Sequence, residues 1–410
     1  MQSSDFVEAM FRSYYRDASF SVYSPYMIEK REFGFVQFKR GMIRHRSFKD
    51  EDELRQFLLT SFPSDAYYSC AYYDDPEAVM ERKGWLGADL IFDIDADHIP
   101  TSCSKIHDEW TCEKCQMKGI GVAPEKCPVC GGEKFATKTW PCEECLGSAK
   151  FETVKLLDML RRDFGFAEKE LHVFFSGHRG YHVHVENAAA NDLDSMARKE
   201  IVDYVIGLGL EVGFQDRHGR LQDNEDLQNP PNLGDLGWRG RLTAKMYDFI
   251  LEANVNDLVE IGVKKKTAET IVQNRKDILQ KWKTIGPYHA VKGVGLETWK
   301  KVAELCANSS AASIDTVVTT DVHRLIRLTG TLHGKTGLKK VEFPASEIAG
   351  FDPFKSAVAF NGGTATVYVS DAPQFRLGEQ TFGPFKKCTA ELPIAAALLL
   401  VCKDRAEIVG

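Results

Sequence analysis

The chain has 410 residues, 43% hydrophobic and 27% charged, enough for two or three domains around a sizeable buried core. Its formal net charge of −7 excludes a generic polyanion binder, so any nucleic acid must be met by a local basic site. The longest apolar run, 394–401, is far short of the roughly 20 residues that a membrane span requires. It reads instead as a buried helix or strand, and the polar start Met1-Gln2-Ser3-Ser4 lacks a signal-peptide pattern; a cytoplasmic protein with no membrane partner is expected.

Phe6, Met10, Phe11 and Tyr14 recur at helical spacing near the start, residues 33–38 alternate as a strand, and residues 50–59 read as a helix with an acidic first turn. Residues 89–94 form a mostly apolar run that fits a buried strand, and its end carries Asp93 and Asp95. Side chains alternate along a strand, so these two carboxylates share one face. Two adjacent hard oxygen donors suit Mg²⁺ or Mn²⁺, with substrate phosphate completing the shell, as in nucleotidyl transfer. The plainer reading is a solvated acidic strand end. Haloacid-dehalogenase-type phosphatases also open on Asp-x-Asp, but continue with a Gly-Thr-like pair where this chain has Ala96-Asp97.

Residues 101–149 form a cysteine-rich insert, with seven of the eleven cysteines inside 43 residues and six of those in three C-x-x-C pairs. In a reducing compartment such clustering reads as metal binding rather than disulfides. Cys112, Cys115, Cys127 and Cys130 have the spacing of a closed tetrahedral zinc site. Cys103 and His107 before them, with Cys142 and Cys145 after them, close a second site of Cys₃His type; the alternative is one zinc, with Cys103 and His107 incidental. Complete ligand sets leave no open position, so the zinc is expected to be structural. Cys70, Cys306, Cys388 and Cys402 read as small buried hydrophobes.

An amphipathic helix is expected over 151–164, then two short strands, 171–175 and 181–185, around the turn Ser176-Gly177-His178-Arg179-Gly180. A hydroxyl, a guanidinium, an imidazole and two glycines suit a phosphate tail, although a polar hairpin turn is the bland alternative. Charged helical segments fill 190–310, with a Gly/Pro/Asp-rich linker near 209–240. The turn 291–296 resembles a helix-hairpin-helix that offers backbone N–H groups to DNA phosphates, or else is a plain helix–helix turn; Lys264-Lys265-Lys266 is a basic patch or a solvated face. Residues 314–328 read as strand, cap and short helix, supplying Asp315, Arg324 and Arg327. They lead into a Gly-rich basic loop, 329–338, with His333 and Lys335, and another strand is expected at 365–369.

Taken in order, Arg31-Glu32-Phe33-Gly34-Phe35, Phe92-Asp93-Ile94-Asp95, Ser176 through His182, and 315–338 resemble the small catalytic subunit of archaeo-eukaryotic DNA primases in its archaeal form. The resemblance implies an α/β (α+β) fold: a mixed-sheet catalytic domain built from 1–100, 150–190 and 311–410, interrupted by a zinc module (101–149) and a helical subdomain (191–310). It implies that Asp93, Asp95 and Asp315 hold catalytic Mg²⁺ or Mn²⁺, and that Ser176, Arg179, His182, Arg327 and His333 hold the incoming nucleotide's phosphates. Lys335 and Arg44 are further basic candidates; His178, an Arg in some relatives, stays outside the set. The family's usual zinc site beside the first two aspartates matches the outer quartet, Cys103, His107, Cys142 and Cys145, with the inner ribbon inserted in it.

The implied reaction is de novo synthesis of short primers from nucleoside triphosphates on single-stranded DNA, releasing pyrophosphate, with a primase large subunit as partner. Alternatives are an end-joining repair polymerase of the same superfamily and a non-catalytic zinc-dependent nucleic-acid-binding protein. The third aspartate with its basic loop favours catalysis, and the double zinc module favours the replicative enzyme.

Overall fold

A computed structural model describes residues 2–17, 20, 22–99, 101–210, 233–285 and 291–409. The described chain divides into two compact units, Met1–Val154 with Ala167–Lys199 and Ser313–Gly410, and Lys155–Phe166 with Glu200–Ala312.

The first unit carries two four-stranded antiparallel sheets. One runs Leu325–Arg327, Asp65–Ser69, Phe33–Gln37, Gly41–Arg46; the other runs Val341–Pro344, Leu171–Phe175, Gly180–Val185, Leu90–Asp95. The second sheet is covered on both faces, since Leu90, Ile91, Phe92, Ile94, Val173, Phe174 and Val183 are all buried, which is why its strands read as apolar runs. The Arg31 motif has a structural use. Its guanidinium donates to Asp89 Oδ2 at 2.7 Å and to the carbonyls of Ser69 and Cys70 at 3.0 and 2.9 Å, while Tyr72 also bonds Asp89. Arg198 adds bonds to the carbonyls of Ala88 and Asp89. The residue just before the aspartate strand is thereby fixed by a satisfied buried ion pair, whose loss from one side would leave a charge stranded.

The apolar run near the C-terminus is the helix Ile394–Cys402, buried from Ala396 to Val401 against strands Thr364–Ala372, Phe385–Pro393 and Ala406–Ile408. Two sequence expectations need correction. The β-branched stretch after Asp315 is a helix, Thr316–Thr320, and the strand follows it at Leu325–Arg327. Asp315 is its N-cap, Oδ1 accepting from the N–H groups of Val317 and Val318, and the cap overrides the strand propensity of Val and Thr. The helix expected at 151–164 begins earlier, Glu143–Arg162, so Cys145 lies in its first turn.

The second unit packs helices Gly237–Glu252, Val255–Glu260, Lys265–Gln273, Arg275–Ile285 and Leu296–Ser310 around Met246, Leu258, Ile271, Trp282 and Trp299. Most of the expected linker, 211–232, lies outside the described residues, and its described end already starts a helix. The 291–296 turn buries Val294 in this core, and Lys264, Lys265 and Lys266 are exposed.

Candidate active site and zinc module

Strand pairing assembles the acidic side of the site. Asp93 lies opposite His182 and Asp95 opposite Gly180, and His182 Nε2 is 3.5 Å from Asp93 Oδ1. A Cβ at Gly180 would meet the Ile94 carbonyl oxygen at 2.2 Å, so only glycine lets the turn close on the aspartate strand. The backbone N–H of Asp315 donates to the carbonyl of Asp93 at 2.8 Å, which brings in the third carboxylate. Burial, and then the charges of Asp95 and Asp315, push the Asp93 carboxyl up to about 7. A buried carboxyl raised by two neighbouring carboxylates suits a divalent cation, which relieves both the repulsion and the desolvation.

Asp93 and Asp95 face a cavity of about 190 Å³ lined also by Ser176, His178, His182, Tyr67, Arg324, Arg327 and His333; Asp315 is outside that lining and is tied to it through its backbone bond to Asp93. Its basic wall is braced from behind. Arg327 Nη1 donates to Asp65 Oδ1 at 2.7 Å, and Gly334 N–H donates to the same oxygen at 3.0 Å. Thr336 Oγ1 donates to the Gly177 carbonyl at 2.6 Å, tying the late loop to the early turn. Ser176 Oγ accepts from the N–H groups of His178 and Gly180, which leaves its own hydrogen to donate. Burial, with nearby cations adding to it, holds the rings of His178, His182 and His333 well below the ordinary histidine range, so they are neutral at pH 7. A larger cavity of about 890 Å³, beside Tyr14, Phe20 and Phe360, contains none of the site residues expected from sequence.

Arg179 stands apart from the other residues expected at the phosphate site. It does not line the cavity; its guanidinium is 1% exposed and donates from Nη1 to both Asp108 oxygens at 2.8 Å, with Nη2 2.9 Å from Asp97 Oδ1. Arg44 also stands apart, paired with Glu32 at 3.0 Å, and Lys335 meets the site through its backbone N–H, which donates to His333 Nδ1 at 3.1 Å. Arg324 and Tyr67 line the cavity although sequence reasoning left them out of the ligand set; Arg324 shares its run with Arg327, and that spacing was the available signal.

The insert gathers two four-ligand groups, each with its ligand atoms within 4.8 Å of one another: Cys103, His107, Cys142, Cys145 and Cys112, Cys115, Cys127, Cys130. A tetrahedral zinc with Zn–S near 2.3 Å spaces its sulfurs by about 3.8 Å. Three observed separations come close to this, Cys142–Cys103 at 3.5 Å and Cys112–Cys130 and Cys115–Cys127 at 3.6 Å, while Cys103–Cys145 is tighter at 3.2 Å. In the outer group, His107 Nδ1 donates to Asp108 Oδ1 at 2.7 Å, which leaves Nε2 toward Cys142 as the ligand atom. Asp108 therefore joins His107, a member of the outer four-ligand group, to Arg179, and Arg179 joins it to Asp97 beside the aspartate strand. The inner group closes a small ribbon, with strand Glu109–Cys112 between Lys118–Ile120 and Phe135–Lys138. Cys112 and Cys127 there are buried and Cys115 is exposed; in the outer group Cys103 and Cys145 are buried and Cys142 partly so. Of the scattered cysteines, Cys70 and Cys306 are buried and Cys388 and Cys402 partly so.

Comparison with known proteins gives a consistent result. Residues 137–344 match the family model described as DNA primase small subunit. The chain is 30% identical over 403 residues to the DNA primase small subunit PriS of Nitrosopumilus maritimus, covering 98% of each chain. It is 32% identical to that of Cenarchaeum symbiosum, covering 97% of this chain and 96% of the relative. Against that of Natronomonas pharaonis it is 34% identical, covering 92% and 91%. No helix among the described residues is long and apolar enough to cross a membrane.

Proposed function

Since the chain belongs to the DNA primase small subunit family, we propose that it starts short primers on single-stranded DNA by template-directed nucleotidyl transfer, releasing pyrophosphate. One observation carries this reading: two carboxylates, with a third bonded to their strand, and a carboxylate-braced basic wall meet at a single cavity.

Asp93, Asp95 and Asp315 would hold Mg²⁺ or Mn²⁺. When bound, such ions lower the pKa of the attacking hydroxyl and neutralise charge on the transferring phosphate. The chain's own groups do the rest. Arg327, kept in place by Asp65, and the neutral rings of His182 and His333 orient the triphosphate; Ser176 donates its hydroxyl hydrogen to it. Arg324, which makes no side-chain hydrogen bond among the described residues, adds an uncommitted cation where charge develops on the departing pyrophosphate. The two Cys/His groups are complete and serve structure. A primase large subunit, template DNA and nucleoside triphosphates are the partners this reading requires, in the cytoplasm.

The test is synthesis on unprimed single-stranded DNA by the chain with its large subunit, nucleoside triphosphates and Mn²⁺. Short de novo products are expected. Extension of pre-annealed primers alone would favour the repair-polymerase reading; DNA binding without incorporation would favour a non-catalytic protein.

A further inference from the structure

A basic group that no motif marks stands behind the cavity. Lys403 follows the buried C-terminal helix and is 8% exposed. Buried lysines are ordinarily paired with carboxylates. Among the described residues Lys403 has no such pair, and its Nζ lies 2.6 Å from Nε2 of His178. An ammonium group offers three donors and no acceptor, so Nε2 accepts and the one hydrogen of the neutral ring sits on Nδ1. Nδ1 has no protein partner among the described residues, is not sealed from solvent, and belongs to a ring that lines the cavity beside Ser176, Arg327 and His333. The ring is held flat against His333, with centroids 5.0 Å apart and planes 19° from parallel. Its orientation and its tautomer are thus both fixed from behind.

We propose that Lys403 is a positioning residue of the triphosphate site, acting through His178 to present an Nδ1–H donor, and adding its own charge, to the phosphates of the incoming nucleotide. This rests on the reading of the cavity as the nucleotide site. The surroundings agree with it. Burial, then the charges of Arg179 and Lys335, push Lys403 down to about 7, and Lys403 in turn depresses His178 and His333. Basic groups that destabilise one another's charge are relieved by a polyanion.

The test uses the zinc-loaded protein, with the affinities of a nucleoside triphosphate and its monophosphate measured by calorimetry. Lys403→Met keeps the packing and removes the donor. It is expected to weaken triphosphate binding by about 10-fold, the low end for one charged hydrogen bond, and monophosphate binding much less. Lys403→Arg should restore much of the difference. In a double-mutant cycle with His178→Phe the two losses should fail to add. Unchanged triphosphate affinity in Lys403→Met would overturn the proposal, as would equal losses for both nucleotides or no recovery with Arg. Should the Met variant not fold, the Arg and His178→Phe variants carry the same comparison. His333→Ala separates the two levels: if it too leaves triphosphate binding intact, the reading of the cavity fails; if it weakens binding while Lys403→Met does not, only the role of Lys403 fails.

Discussion

Replacing Asp108 by Asn tests how the zinc module is joined to the active site. The Asp108 carboxylate accepts from Arg179 Nη1 with both oxygens at 2.8 Å, from His107 Nδ1 at 2.7 Å and from the Trp140 N–H at 3.1 Å. Asparagine keeps the shape and one acceptor but removes the charge. Arg179, 1% exposed, would then rely on Asp97, whose side chain is 40% exposed. Breaking a buried pair from one side costs about 3–5 kcal/mol, and the surviving partner puts this case near the low end. For a unit of this size about 3 kcal/mol corresponds to a Tm lower by about 5 °C. His107 would keep only a neutral amide acceptor in place of the carboxylate that sets its tautomer, which should weaken metal binding by about 10-fold, the low end for loss of such support. The assays are a thermal melt with and without added zinc, and zinc release to a chromophoric chelator. A Tm within about 1 °C of wild type together with unchanged release would refute the coupling, because neither the buried pair nor the His107 contact would then contribute.

Cys142→Ser, in the outer group that joins the segment after the aspartate strand to the start of helix Glu143–Arg162, should lower Tm by about 10 °C or more, and Cys127→Ser, in the inner group that closes only a local ribbon, by a few degrees; one zinc per chain, or equal shifts, would contradict the nested arrangement. Between its ordinary value of 3.8 and about 7, Asp93 keeps in the folded, metal-free protein a proton that the unfolded chain has lost, so stability falls as pH rises through that window and levels above it. Mn²⁺ should accordingly raise Tm more at about pH 8 than at about pH 5.5, and Asp93→Asn should abolish both the slope and incorporation; a flat metal-free profile would sink the argument. His333→Ala should weaken triphosphate binding by about 10- to 150-fold, as measured by calorimetry.

Much of the site was legible because it rests on local periodicity. Alternation along an apolar strand puts Asp93 and Asp95 on one face, and C-x-x-C spacing marks both cysteine groups whatever the fold around them. What stayed hidden depends on partners distant in sequence. Asp108 lies 71 positions before Arg179 and turns that side chain away from the cavity, although it stands in the same short turn as Ser176. Lys403 is 225 positions from His178, after a helix that reads only as core. The Asp315 segment was misread for a different reason: Thr316, Val317, Val318, Thr319 and Thr320 favour strand locally, and one capping carboxylate with burial of Val318 and Thr319 decides for helix.

The central claim is that the three carboxylates and the basic wall form one metal–triphosphate site. Crystals soaked with Mn²⁺ and a non-hydrolysable nucleoside triphosphate test it most directly, through anomalous scattering from the metal. Manganese peaks bounded by Asp93, Asp95 and Asp315, with the phosphates against Ser176, His182, Arg327 and His333, are predicted. Manganese bound elsewhere, or a triphosphate seated outside this cavity, would contradict the account.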